Sequence, residues 1–464
     1  MKINALPVSN SIDVRSSYPA NNLVEDRELT LSSEDYSLLT DLYQLTMTAC
    51  YVGESIETRR ASFELFVRQL PEGFGYLVAM GLAQAIDYLQ KLRFSPAQID
   101  ALKATGIFAN AVDRFWDLLA ETRFTGDLWA VPEGTVIFAH EPILRIEAPL
   151  WQAQLVETYL LNTINYQTLI ATKAARIRDV AGDRISLLEF GTRRAFSPQA
   201  SLWAARAALA AGMDATSNVF AALKLGRKPS GTMAHALVMA LTATEGSEAQ
   251  AFTAFHRYFP DSPLLIDTFD TVEAARNLAD RVQSGKIELK GIRLDSGDLV
   301  ELSQKVRSIL PNVEITASGD IDEFEMTRLQ TAGACIDGYG IGTKLVTGAP
   351  VNGVYKLVEI DDIPVRKKSF GKQTYPHRKQ IFRQIDRGKI IRDRLALATE
   401  TSQPDEQPLL ELVIKQGELI KSIDCLDTIS HRTRTSVTSL PPSCRDLIHP
   451  NPIPIEISDR LLEK

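Results

Sequence analysis

One histidine, two aspartates and a set of arginine- and glycine-bearing turns fall where nucleophilic or anion-binding chemistry could be done. In PSGTMAHALVMA, residues 229–240, a Ser-Gly-Thr turn opens a helical pattern and sets His235 in its first turn. A helix start leaves backbone N–H groups unpaired and carries partial positive charge. It therefore keeps an imidazole neutral and welcomes an anion beside it or attached to it. Neutral imidazole is a nucleophile. Taken alone, His235 reads as a histidine packed on the core, because Ala236, Leu237, Val238 and Met239 follow it. The rest of the chain changes that reading.

Functional groups of parallel α/β folds gather at the carboxyl ends of the strands. The strand pattern at 185–190 runs into EFGTRR, bringing Glu189, Phe190, Gly191, Arg193 and Arg194 to one strand end. Two arginines beside a glycine turn suit an anion, with an ordinary ion pair as the alternative. The pattern LLIDT at 264–268 delivers Asp267, and GIRLD at 291–295 delivers Arg293 and Asp295. The last two stand two apart on a strand, hence on one face, a costly arrangement unless each has a partner or a ligand. Ser-Gly-Asp follows at 296–298 and again at 318–320, where Asp320 and Glu323 have the spacing of a capping box. GYGIGT at 338–343 completes the series. Glycines let backbone N–H groups approach a phosphate, and barrels bind phosphate after their last strands. Ser318, Gly319, Gly340, Gly342 and Thr343 are therefore candidate phosphate contacts. The GxxxxGK[ST] loop of the nucleotide triphosphatases is absent.

These groups need a frame. From about residue 151 a long helix gives way to repeated strand and helix, the rhythm of parallel βαβ units. Strands are expected at 185–190, 264–268, 291–295, 313–317 and 336–341, with a weaker one near Met213. Helices are expected at 199–210, 231–243, 272–283, 299–309 and 321–331. Five clear units and one or two weak ones predict an α/β barrel or near-complete barrel over 151–349, with a doubly wound open sheet as the alternative. Before it, residues 34–52 read as a helix with Leu38, Leu42, Leu45 and Ala49 on one seam and Thr40 and Asp41 as caps. Tyr43 lies close to that seam. Residues 60–67 read as a strand, 75–92 and 111–119 as helices, and 128–147 as a hairpin turning at 132–134. After the barrel, 353–360 reads as a strand and the sequence to about 390 as hairpin-like. Residues 400–407 read as a loop, and 439–454 as irregular. The prediction is a discontinuous α+β domain, 34–150 plus 350–464, around the barrel, with residues 1–33 a flexible arm.

Composition excludes several classes. Of 464 residues, 45% are hydrophobic, enough for a large core, and 51 Lys and Arg against 58 Asp and Glu leave a net charge of −7. Neither nucleic acid nor an acidic membrane surface is an expected partner. Cys50, Cys335, Cys425 and Cys444 have no CxxC spacing, so neither a zinc site nor a disulfide framework is expected, and a reducing cytoplasm fits. No apolar run suggests a signal peptide or membrane span.

The motifs TDLYQLTM (40–47), EFGTRRA (189–195), SGTMAHA (230–236), IRLDSGDL (292–299), ASGDID (317–322) and GIGTKLVT (340–347) together resemble the nicotinate phosphoribosyltransferases. The resemblance runs in order from about residue 40 to 360. It implies transfer of a phosphoribosyl group from 5-phosphoribosyl-1-pyrophosphate to nicotinate, coupled to ATP hydrolysis, with Mg²⁺ neutralising the leaving pyrophosphate. It further implies that His235 is the histidine phosphorylated by ATP and that Asp267 and Asp295 orient it. Tyr43 and Thr232 would lie at the nicotinate, Phe190 would stack on the pyridine ring, and Arg293 would face the ring carboxylate. Arg193 would hold phosphate and Thr343 would touch the phosphoribosyl donor. A homodimer is implied, with the tyrosine motif reaching a neighbouring subunit's site. Nicotinamide phosphoribosyltransferase is the nearest alternative, a quinolinate-type decarboxylating transferase a more distant one, and a non-catalytic nucleotide-binding regulator a third.

Overall fold

The computed structural model describes Leu29, residues 31–367 and residues 374–462. Most of the expected arm, residues 1–28 and Thr30, lies outside the described residues. Six strands form a parallel sheet in the order Ala215–Thr216, Ser186–Glu189, Gly338–Ile341, Glu314–Ser318, Gly291–Leu294, Leu264–Leu265. The two-residue alternation sorts each strand into two faces. Leu187, Ile292, Leu294, Ile315, Ala317, Tyr339 and Ile341 are almost fully buried on the outer face. Ser186, Leu188, Arg293, Thr316 and Gly338 share the other face, which lines a cavity of about 180 Å³. Small residues there leave space that bulky branched residues would fill in a packed barrel interior.

From Leu264–Leu265 onward each new strand is laid beside the last, and the fourth lands beside Ser186–Glu189. The parallel sheet of the expected α/β region is present, and among the described residues its two edge strands are not hydrogen-bonded to each other. The two edge strands are only two residues long and do not meet. Residues 230–233 cross between them instead. The Ser230 N–H donates to the Thr216 carbonyl at 2.9 Å, and the Thr232 hydroxyl donates to the Pro263 carbonyl.

A seven-stranded antiparallel sheet joins the two ends of the chain. Its order is Ile363–Pro364, Gly353–Ile360, Arg60–Val67, Pro142–Pro149, Asp127–Ala130, Glu411–Lys415, Glu418–Leu419. The strand Arg60–Val67 is flanked by Pro142–Pro149 on one side and Gly353–Ile360 on the other, so the later strands return to the first region. The 25-residue helix Glu157–Ala181 packs against helices and strands of both regions. There Arg176 is almost fully buried and its Nε donates to Glu323 Oε1 at 2.9 Å.

Several local expectations change. Within 75–92, Leu77–Val78 is a strand paired with Val136–Ile137, and the helix is Leu82–Lys91. Tyr76 to Met80 are buried without a break, and Gly81 at φ 104° makes a left-handed corner that a residue with a side chain would resist. The helix expected at 231–243 begins at His235 and runs to Glu245. The capping box of Asp320 and Glu323 does not form. Asp322 caps Glu323–Thr331 by accepting from the N–H groups of Phe324 and Glu325, while Glu323 is taken by Arg176. The first helix is Leu42–Gly53, and it buries Gln44, Leu45, Thr48 and Val52. Leu42 stays exposed because Gln154 hydrogen-bonds the Gln44 carbonyl and the Thr48 hydroxyl and turns that polar row inward, and Leu38, exposed too, lies in the turn before the helix. Asp41 sits at the N-cap but its side chain makes no capping bond; its carboxylate accepts from the Thr158 hydroxyl instead. Further along, Glu406–Pro408, at the end of the expected loop, is an edge strand, and Pro442–Arg445 is one helical turn.

Candidate active site

The strand ends converge on His235. Its backbone is the first residue of His235–Glu245, reached through an extended Ala234. Nδ1 lies 3.0 Å from the Thr268 hydroxyl. Nε2 lies 4.0 Å from Asp267 Oδ1 and 3.8 Å from Asp295 Oδ2, beyond hydrogen-bond reach but well inside the field of both carboxylates. Asp267 is anchored: its Oδ2 accepts from the Asp295 N–H at 2.8 Å and from the Ser296 hydroxyl at 2.7 Å. Its Oδ1 is buried with no partner. Asp295 in turn accepts at Oδ1 from the Ser318 hydroxyl.

Arg293 carries the positive charge of the interior. Its Nη1 donates to the Met233 carbonyl at 3.1 Å, its Nη2 stands 4.0 Å from Asp295 Oδ1, and its Nε is buried without an acceptor. Burial lowers its pKa, Asp295 and Asp267 counter that, and the nearby Arg193 adds to the lowering. A guanidinium still stays charged, so the unmatched Nε is a donor in want of an anion. Arg193 and Arg194 are exposed, and among the described residues no acidic side chain pairs with either, so the ion-pair alternative is not realised.

The glycine turns crowd the same end of the sheet. A methyl group at Gly340 would stand 2.4 Å from the Phe190 ring, so the ring lies directly on that backbone. Gly319, at φ 95°, brings its backbone so near the Asp295 carbonyl that a Cβ would sit 2.4 Å from the oxygen. Asp320 beside it has φ 49°, a left-handed conformation that Asp tolerates better than most residues. Gly342 precedes the single turn Thr343–Val346, which Thr343 opens. Thr232 faces the same cavity as Phe190 and Arg293.

His235, Asp267, Asp295, Arg293, Ser318, Gly319, Phe190, Gly340 and Thr232 thus belong to one connected region. Tyr43 does not join it. It is 45% exposed, its hydroxyl is within reach of Glu157 and Thr158, and burial with the charges of Glu157 and Asp41 pushes its pKa up to about 12. Sequence reasoning missed Thr268 and the role of Ser296. Both adjoin aspartates already singled out, and a hydroxyl beside an acid at a strand end is the signal that could have found them.

A histidine facing two carboxylates over glycine-lined strand ends, with an unpaired arginine in a small interior cavity, defines an α/β protein built to handle a small anionic substrate. The comparisons make that class specific. Models of the nicotinate phosphoribosyltransferase N-terminal domain, family and C-terminal domain match residues 38–165, 185–325 and 402–464. The nicotinate phosphoribosyltransferase pncB2 of Mycobacterium tuberculosis is 40% identical over 439 residues, 92% of each chain. That of Bacillus subtilis is 41% identical over 402 residues, covering 83% of this chain and 80% of its own. Human nicotinic acid phosphoribosyltransferase superposes with a TM-score of 0.80 at 28% identity, covering 91% of this chain and 98% of its own. The chain belongs to the nicotinate phosphoribosyltransferase family.

Proposed function

We propose that the protein is an ATP-coupled nicotinate phosphoribosyltransferase of NAD biosynthesis. It would join nicotinate to 5-phosphoribosyl-1-pyrophosphate, releasing nicotinate mononucleotide and pyrophosphate, while ATP and water become ADP and phosphate by way of a phosphate on His235. The observation that carries this is the placement of His235 at a helix start, between the Thr268 hydroxyl and the Asp267–Asp295 pair. The carboxylates favour a proton on Nε2, which leaves the Nδ1 lone pair to attack the terminal phosphorus of ATP. The partial positive charge of the helix start favours the phosphate so formed, by about 0.3–1 kcal/mol when exposed and up to about 2 when partly buried. ATP cleavage supplies the rest.

The transferase half uses the cavity. Nicotinate would lie with its ring against Phe190 and its carboxylate toward the unmatched Arg293 Nε, with Thr232 beside it. Arg193 and the turns at Ser318–Gly319 and Gly340–Thr343 would hold the phosphates of the donor. Loss of pyrophosphate leaves an oxocarbenium-like centre, so holding the dispersed charge and the in-line ring nitrogen is the protein's main task. Among the described residues no group of three or more His, Cys, Asp or Glu side chains is arranged for a metal. Mg²⁺ commonly takes only one or two protein carboxylates and fills its shell with phosphate oxygens and water. When bound, the ion neutralises polyphosphate charge.

Closure of the parallel sheet into a barrel is supported by the cyclic strand order and the crossing of residues 230–233. The shared seven-stranded sheet supports a discontinuous domain, 34–150 plus 350–464, around the transferase region 151–349. The four cysteines are unpaired, in keeping with a cytoplasmic site of action, and no described helix is long and apolar enough to cross a membrane.

Incubation with nicotinate or nicotinamide, the phosphoribosyl donor and ATP labelled in the terminal phosphate tests the assignment. Nicotinate should be the preferred acceptor and the label should appear on protein, with none on His235→Ala. Labelled His235→Ala, or preference for nicotinamide, would sink it. A homodimer is supported by Tyr43 standing away from its own chain's site beside the exposed Leu38, Leu39 and Leu42. Mixing inactive Tyr43→Ala and His235→Ala proteins should restore roughly a quarter of the activity through random pairing in a two-fold dimer. No recovery on mixing would place Tyr43 outside the partner's site.

A further inference from the structure

The placement of His235 leaves open what selects one ring orientation. Its side chain is 37% exposed, and the carboxylates beside Nε2 are too distant to clamp it. The one hydrogen bond to the ring among the described residues is that of the Thr268 hydroxyl to Nδ1, at 3.0 Å. Thr268 is well suited to hold it. A β-branched side chain is stiff at χ1. The residue before it, Asp267, is tied to Asp295 and Ser296, so Thr268 rides on a pinned strand end.

We infer that Thr268 is a positioning residue that donates its hydroxyl proton to Nδ1 and thereby fixes the tautomer of His235. A threonine hydroxyl can donate or accept, so the other side of the ring decides. With the proton on Nε2, an N–H dipole points at two carboxylates. With the proton on Nδ1, a lone pair would point at them and repel. At about 4 Å the carboxylates only bias the ring toward the Nε2–H form, and Thr268, as donor to Nδ1, completes the selection. This inference rests on the proposed phosphohistidine. In that step the Nδ1 lone pair forms the N–P bond, the bond from the terminal phosphorus to its bridging oxygen breaks, and its electron pair leaves on ADP. Nε2 keeps its proton, and the cationic ring faces Asp267 and Asp295. The Thr268 hydroxyl, released from Nδ1, stands next to the new phosphoryl oxygens and can donate to one of them.

The experiment uses Thr268→Val, which removes the hydroxyl and keeps the shape, and Thr268→Ser, which restores it. Nitrogen NMR of the full-length, imidazole-labelled protein without ATP reads the tautomer directly. The native protein and Thr268→Ser should carry the proton on Nε2, and Thr268→Val should show a mixture. Single-turnover labelling by ATP should slow about tenfold in Thr268→Val, with KM for nicotinate unchanged and the rate recovered in Thr268→Ser. An unchanged tautomer in Thr268→Val, or no recovery in Thr268→Ser, would overturn the role given to Thr268. Absence of any labelled phosphoenzyme in the native protein would instead strike the phosphohistidine, while the ATP-free tautomer measurement still decides the hydroxyl's part.

Discussion

Buried charge is treated in opposite ways on the two sides of this molecule. In the four-stranded mixed sheet of the C-terminal region, in the order Glu406–Pro408, Lys379–Asp386, Lys389–Leu397, Ile455–Ile457, Arg383 donates to both oxygens of Asp393, at 2.9 and 2.5 Å, and Arg394 does the same to Glu406 at 3.0 and 2.7 Å. Each guanidinium meets a carboxylate in a bidentate fork, and the sheet is closed to further ligands. Glu141, buried near the first pair, is pushed well above the usual carboxylate range by burial and by the charge of Asp393. In the parallel sheet the same residue types are left unfinished. Arg293 keeps an unmatched Nε, Asp267 an unmatched Oδ1, and His235 stands about 4 Å from the nearest carboxylate oxygens. Saturated pairs build a scaffold; the unsaturated ones gather at one end of the parallel sheet, where Arg293 lines the cavity.

That contrast can be broken most sharply by removing one arginine from each side. Arg383→Ala leaves Asp393 buried and uncompensated, and should lower stability by about 3–5 kcal/mol, read from the denaturant midpoint. Arg293→Ala should cost far less stability, because the guanidinium it removes is already under-paired. Its loss should appear in binding: KM for nicotinate should rise by one to two decades, the equivalent of about 1.5–3 kcal/mol for a hydrogen bond to a charged group. KM for the phosphoribosyl donor should hardly move. If the two variants lost equal stability, or Arg293→Ala weakened both substrates alike, the division into scaffold and site would be wrong.

Much of this division could be read along the chain, and the rest could not for physical reasons. The strands carrying Arg293, Asp295 and Ser318 were legible because a two-residue period puts Ile292 and Leu294 on one face and the chemistry on the other. Strand-end glycines were legible because few other residues tolerate their approach distances. The ends of the parallel sheet were not, since Ala215–Thr216 and Leu264–Leu265 are too short to set a period. Partner choice was also hidden. Asp320 and Glu323 have the spacing of a local cap, yet Arg176, 147 residues earlier, claims Glu323 across the fold. The site role expected of Tyr43 rests on the resemblance alone, because nothing in its own helix points to the site.

The unfinished side extends behind the His235 helix. A groove of about 340 Å³ between the helices His235–Glu245, Glu248–Tyr258 and Thr271–Gln283 is lined by Glu248, Asp270, Glu273 and Arg281, and Glu248 Oε1 and Thr242 Oγ1 have no partners there. Burial, then the charges of Glu273, Asp270 and Asp267, push the pKa of Glu248 up to about 7, from an ordinary 4.5. Arg281, the cation of the groove, donates to the Ala249 carbonyl rather than to Glu248. The folded protein therefore binds this proton more tightly than the unfolded chain, and stability from this residue falls as pH rises from about 4.5 to about 7 and is level beyond. Glu248→Gln removes the penalty. Its urea midpoint should equal that of the native protein near pH 4.5, rise above it through pH 6, and keep a constant lead above pH 7. The lead should be small, because Glu248 is partly open to solvent. A lead that grew as pH fell would reverse the sign and show Glu248 to be paired, moving this groove to the saturated side of the comparison.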